Sequence, residues 1–190
     1  MDYTQAFISA VNHLMLYEVG GWVDVTNSGF LDGTDPHACG YENDPQDPGG
    51  ETKYGIAKNK NPTVDVTNLD WEGAKAIYYQ SYWLAGSCDK LPGCVAALQF
   101  DGCVNNGVGG ASKFIQRAVG VPADGQIGQQ TIDAVGTIDP IALCNAICDQ
   151  RTQYYNNIVQ QNPAMQKYLG GWIRRIEEMR TFTTNPDGNF

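Results

Sequence analysis

Between Gly40 and Ile56 the chain reads GYENDPQDPGGETKYGI, and this stretch constrains the fold more than any other. Pro45 and Pro48 fix their own φ and push the preceding Asp44 and Asp47 toward extended backbone, while Gly49 and Gly50 open conformations closed to other residues. The expected result is a stiff loop that holds Asp44, Asp47 and Thr52 in place, and rigid placement suits catalytic groups. Taken alone, the same residues also fit an ordinary capped turn, with Asp44 and Asp47 bonded to their own backbone; that is the simpler reading.

Around this loop the pattern is helical. Asp2 or Thr4 can cap a first helix whose apolar positions Phe7, Val11 and Leu14 recur at helical spacing, with Ile8 and Met15 widening the stripe. One turn further along the same row is Glu18, and Gly20 and Gly21 then end the helix. A carboxylate in a last turn faces the negative end of the helix dipole. On the core-facing side, burial would act in the same direction, and both effects raise the pKa and hold a proton for donation. A Glu frayed into solvent occupies the same position, and position alone favours it.

From Trp22 to Gly55 the chain reads as loops and a small hairpin region. Helical periodicity returns in LDWEGAKAIYYQSYW, and Pro92 opens a helix through CVAALQFDGCVNNG that Gly107, Gly109 and Gly110 end. ASKFIQRAVG is a short helix, VPADGQIGQQ is turn-rich, and long helices run from about Pro140 to Val159 and around Met165 to Arg180. The fold class is therefore mainly α, with a small loop/β-hairpin lobe.

Charge and composition narrow the function. Twelve Lys+Arg against 21 Asp+Glu leave a net charge of −9, which works against nucleic-acid binding because phosphate contacts need clustered cations. No apolar run is long enough to span a bilayer, and the N-terminus lacks a basic start, so neither a membrane partner nor ordinary signal-directed export is expected. Six cysteines allow three bridges in fifteen connectivities, or buried free thiols. Cys144 and Cys148, one turn apart, face the same partner, and a bridge from one of them to the helix bearing Cys94 and Cys103 is attractive. His13 has no expected role. Asp32, Asp35, His37 and Cys39 match no recognised metal-ligand spacing, so no metal and no organic cofactor are expected.

Taken in order, Glu18 before Gly20-Gly21 and an aromatic, then NDPQDPGGETKYGI, IYYQSYW, FDGCVNNG and FIQRAVGVPADGQIGQQTIDAV resemble glycoside hydrolase family 108, over roughly residues 3 to 180. The resemblance implies a lysozyme-like fold and N-acetylmuramidase activity. Residues 1–110 would form the catalytic part and 111–190 a helical part like a peptidoglycan-binding region, packed in the same domain. Glu18 would be the general acid, and Asp47 and Thr52 would position water or stabilise positive charge, with Asp44 in reserve for Asp47. Asp44, Tyr54, Tyr82, Asp101 and Asn105 are the candidate substrate contacts. Tyr78, Tyr79 and Trp83 are read as core. One departure from the family pattern is an insertion over residues 24–40, expected to lengthen a hairpin without moving its base.

The partner implied is bacterial peptidoglycan, with other virion proteins added if the chain is part of a phage particle. It would either wait in the host cytoplasm as an endolysin for holin-dependent release, or be virion-associated. The alternative is a wall-binding or virion structural protein that keeps the fold without the chemistry. A peptidoglycan peptidase is disfavoured, because the chain has no zinc-ligand set and no Cys-His signature.

Overall fold

The first helix, α1 (Gln5–Glu18), forms where the apolar row predicts it. Of the two expected caps Thr4 acts, its hydroxyl accepting the Phe7 N–H at 3.3 Å. Phe7, Val11, Leu14 and Met15 are all buried. The structure, a computed structural model, describes residues 2–18, 41–44, 50–185 and 190. By internal contact the chain divides into two units, Met1–Phe7 with Ser81–Phe190 and Ile8–Gln80.

In the unit that includes Ser81–Phe190, α3 (Gly93–Asn106) is the centre. Every residue from Val95 to Cys103 is buried, as expected of a helix enclosed on all sides. Packed against it are α4 (Val108–Ala118), α6 (Pro140–Gln161) and α7 (Gln166–Thr184). A shorter helix, α5 (Gln129–Val135), leads into α6. At the α3–α4 crossing a methyl on Gly102 would lie 2.9 Å from the Ala111 Cβ, so the absence of a side chain sets how closely the two helices approach. Phe7 and Trp83 meet edge to face at 5.3 Å, and Trp83 lies 5.8 Å from Phe100.

A helix buried all round must satisfy its polar groups internally. Gln99 donates to the Gly86 carbonyl at 3.2 Å and to the Ser112 hydroxyl at 3.0 Å. Asp101 pairs with Arg151 of α6 at 2.6 Å and with Arg175 of α7 at 2.9 Å. Burial by itself would raise the Asp101 pKa, but the two guanidinium groups outweigh it and hold the carboxyl below its usual range. One carboxylate thus ties three helices together. Further along, buried Gln116 fixes the turn before α5, donating to Asp124 at 2.7 Å and accepting from the Gly125 N–H at 2.8 Å.

The cysteines of this unit are free thiols, most of them in close pairs. Cys88 and Cys103 are hydrogen-bonded to each other beside Gly86. Cys94 of α3 meets Cys144 of α6, whose thiol donates to it and holds its pKa down to about 7 despite half-burial. Burial pushes the Cys148 thiol up to about 11.

In the unit Ile8–Gln80, Asp70 caps α2 (Trp71–Tyr78) by accepting from the Gly73 N–H at 2.8 Å. The sequence pattern predicts one helix through Trp83; instead the chain widens into a π-turn at Tyr79–Leu84. An extra residue in one turn leaves most apolar spacings intact, so periodicity does not reveal it.

Candidate active site

From Gly50 onward the chain enters a minimal hairpin. Strands β1 (Thr52–Lys53) and β2 (Ile56–Ala57) pair antiparallel, with Thr52 opposite Ala57 and Lys53 opposite Ile56. Between them Tyr54 and Gly55 both take positive φ, 52° and 73°. Two such residues make the turn whose twist matches that of the flanking strands. Glycine takes this conformation freely, whereas tyrosine needs support. The Tyr54 ring is buried against Trp71 at 5.6 Å, and its carbonyl accepts the Tyr78 hydroxyl at 2.9 Å.

On its other side Thr52 exchanges two backbone hydrogen bonds with Glu42, at 2.9 and 2.8 Å. Thr52 is therefore held by backbone pairing on both sides. Its hydroxyl donates to the Gly50 carbonyl at 3.1 Å, which leaves the oxygen lone pairs able to accept. The neighbouring Glu51, which no sequence motif marks, accepts from the Tyr41 hydroxyl at 3.0 Å and from the Thr67 hydroxyl. Only folding brings those partners, 10 and 16 residues away, to one carboxylate.

The other expected site residues are placed as follows. Asp44 is exposed next to the Glu42 bridge. Glu18 is the last residue of α1, which has no basic residue in its final turn. Its side chain, Asp47 and the insertion at 24–40 lie outside the described residues. Tyr54 is 6% exposed, so its ring serves the lobe's own core. Tyr82 sits half-buried in the π-turn. Asn105 is exposed at the end of α3 and donates to the Asp101 carbonyl at 2.7 Å, while the Asp101 side chain is enclosed between its two arginines. Tyr78 and Trp83 are buried, as expected of core residues. Among the described residues no three His, Cys, Asp or Glu side chains converge as metal ligands.

Residues 32–107, which contain the whole hairpin, match the family model for glycosyl hydrolase 108. The match agrees with the resemblance carried by the sequence motifs. Residues 110–177 match a second model, described as a predicted peptidoglycan domain. The first match ends at the end of α3; the second spans α4 to most of α7. Among solved structures the chain is similar to Brucella abortus SagA, at 27% identity and a TM-score of 0.64, over 77% of this chain and 88% of that one. No curated protein sequence matches it. The fold is mainly helical and lysozyme-like, with a two-stranded lobe, and the chain is a glycoside hydrolase of peptidoglycan-related type.

Proposed function

We propose that this glycoside hydrolase is an N-acetylmuramidase that cuts the β-1,4 linkage between N-acetylmuramic acid and N-acetylglucosamine. The observation that carries the reading is the union, in one chain, of a hydrolase region built around a rigidly paired Thr52 and a peptidoglycan domain. Residues 1–110 form the catalytic part in this reading, and 111–190 hold the wall.

Glu18 acts as the general acid, protonating the glycosidic oxygen as the bond to the anomeric carbon breaks. Its place at the negative end of α1, whose last turn carries no basic residue, favours the protonated form such an acid needs. Asp47 supplies negative charge toward the developing oxocarbenium ion. Thr52 accepts a hydrogen bond from the attacking water, because its own proton is already given to Gly50.

Two measurements test this. Fragments released from purified sacculi should end in reducing N-acetylmuramic acid by mass spectrometry; reducing N-acetylglucosamine or cut peptides would sink the linkage. Glu18→Gln should lower turnover by about 10²- to 10⁴-fold with wild-type melting. Wild-type turnover in that variant would remove Glu18 from the mechanism.

A further inference from the structure

Beyond the hairpin and the Asp101 cluster, α6 has an outward face that neither uses. Gln150, Gln153, Tyr154, Asn157, Ile158 and Gln161 recur at intervals of three and four, so they form one stripe along the helix, roughly 16 Å from end to end. Together with Arg117 near the end of α4, they line an open groove of about 320 Å³. A stripe at this spacing is ordinarily apolar and buried. Here four of its six residues are side-chain amides, and Tyr154 is 39% exposed.

The groove's chemistry stands apart from the rest of the chain. The protein carries 21 acidic residues, yet none lines this groove. Asp149, just before the stripe, is engaged with Arg180 at 2.8 Å. Arg117 is exposed and has no carboxylate partner among the described residues. Tyr154 is exposed but fixed: it meets Phe114 edge to face at 5.4 Å and Tyr155 at 5.2 Å, and Tyr155 stacks on Trp172 at 4.7 Å. An aromatic ring already held in place loses little conformational freedom when a ligand covers it.

Each group selects a partner. Side-chain amides donate and accept at once, which suits acetamido groups, sugar hydroxyls and peptide bonds. A tyrosine ring offers an apolar face with a polar tip, and a guanidinium pairs with a carboxylate in a two-pronged fashion. We propose that the groove between α4 and α6 is a binding site for the peptidoglycan strand, separate from the catalytic residues. The acetamido and peptide groups lie along the Gln/Asn row, a sugar face covers Tyr154, and a stem-peptide carboxylate meets Arg117. The choice of ligand rests on the wall-hydrolase reading; the existence of the site does not depend on Glu18 or on catalysis.

The test measures binding and turnover separately, on the full chain. Co-sedimentation with purified sacculi stripped of secondary polymers gives an apparent Kd, and cleavage of a short soluble glycan fragment gives basal activity. Tyr154→Ala combined with Arg117→Glu should weaken sedimentation about tenfold or more while leaving basal activity unchanged. Wild-type sedimentation of the double variant, or a wild-type protein that does not sediment, overturns the proposal. Parallel loss of soluble-substrate cleavage also overturns it, because the groove would then be part of the catalytic cleft. If the double variant fails to fold, Asn157→Asp is the second test: an added carboxylate in the groove should weaken sedimentation severalfold, and unchanged binding overturns the site. Sedimentation that depends on the groove, without any glycan cleavage, would uphold the groove and sink the muramidase reading.

Discussion

The two acidic motifs of this chain, NDPQDPGGET and FDGCVNNG, look alike as lists of residues and differ completely in use. Around the hairpin, Glu42 and Asp44 are exposed, and Glu51 is partly covered with two hydroxyl donors. In the helical unit Asp101 is enclosed between Arg151 and Arg175, its side chain 2% exposed. A carboxylate open to a bound molecule can do chemistry. One closed between guanidinium groups holds helices, since removing any partner strands a buried charge. The hairpin lobe gains much of its rigidity from backbone pairing and turn geometry, so Glu42 and Asp44 remain exposed. The helical unit gains it from side chains, which are thereby committed.

This contrast breaks most visibly at Asp101. Asp101→Asn should destabilise the protein by about 3 to 5 kcal/mol in denaturant titration, because Arg151 stays buried without its counter-charge. Turnover per folded molecule should stay near wild type; a large loss of turnover with normal stability would return Asp101 to the active site. The pH dependence follows from the lowered pKa. The carboxylate's stabilisation is fully present above its unfolded value of about 3.9 and disappears as pH falls through the lower folded value. Acid titration of the wild type should show that loss, and Asp101→Asn should not.

Thr52→Val should act in the opposite sense, cutting turnover about tenfold to a hundredfold while melting changes little, with Thr52→Ser restoring most of the rate. A Thr52→Val protein that cleaves normally would make the hydroxyl a turn element only.

A smaller effect sharpens the view of the helical unit. Alkylation of Cys94 should rise with pH through a midpoint near 7, where its thiolate forms, because the Cys144 thiol donates to it. Cys144→Ala removes that donor and should move the midpoint up toward the ordinary thiol range. A midpoint unmoved by the variant would mean that the pairing of α3 with α6 at this point is not as described.

Much of the framework was legible because it is local. The row Phe7, Val11, Leu14 placed α1, Pro92 and Pro140 marked helix starts, and the Gly-Pro loop announced a hairpin region. Periodicity missed the π-turn at Tyr79–Leu84. It also had no means of finding Glu51, whose donors come from residues 41 and 67, or the groove, whose residues look like an ordinary solvated helix face until Arg117 is set beside them.

By itself, then, the sequence determined where most helices begin, where the chain must turn, and, through the order of its motifs, which hydrolase family it resembles. Those properties depend on backbone stereochemistry and on residues within a turn or two of each other. Tertiary structure alone decided that Asp101 is a structural ion-pair centre and that Tyr54 is a core residue. It also decided that Cys94 faces Cys144 rather than Cys148. Each of these rests on partners tens of residues away, and a carboxylate, ring or thiol takes its role from what surrounds it after burial, not from its neighbours in the chain.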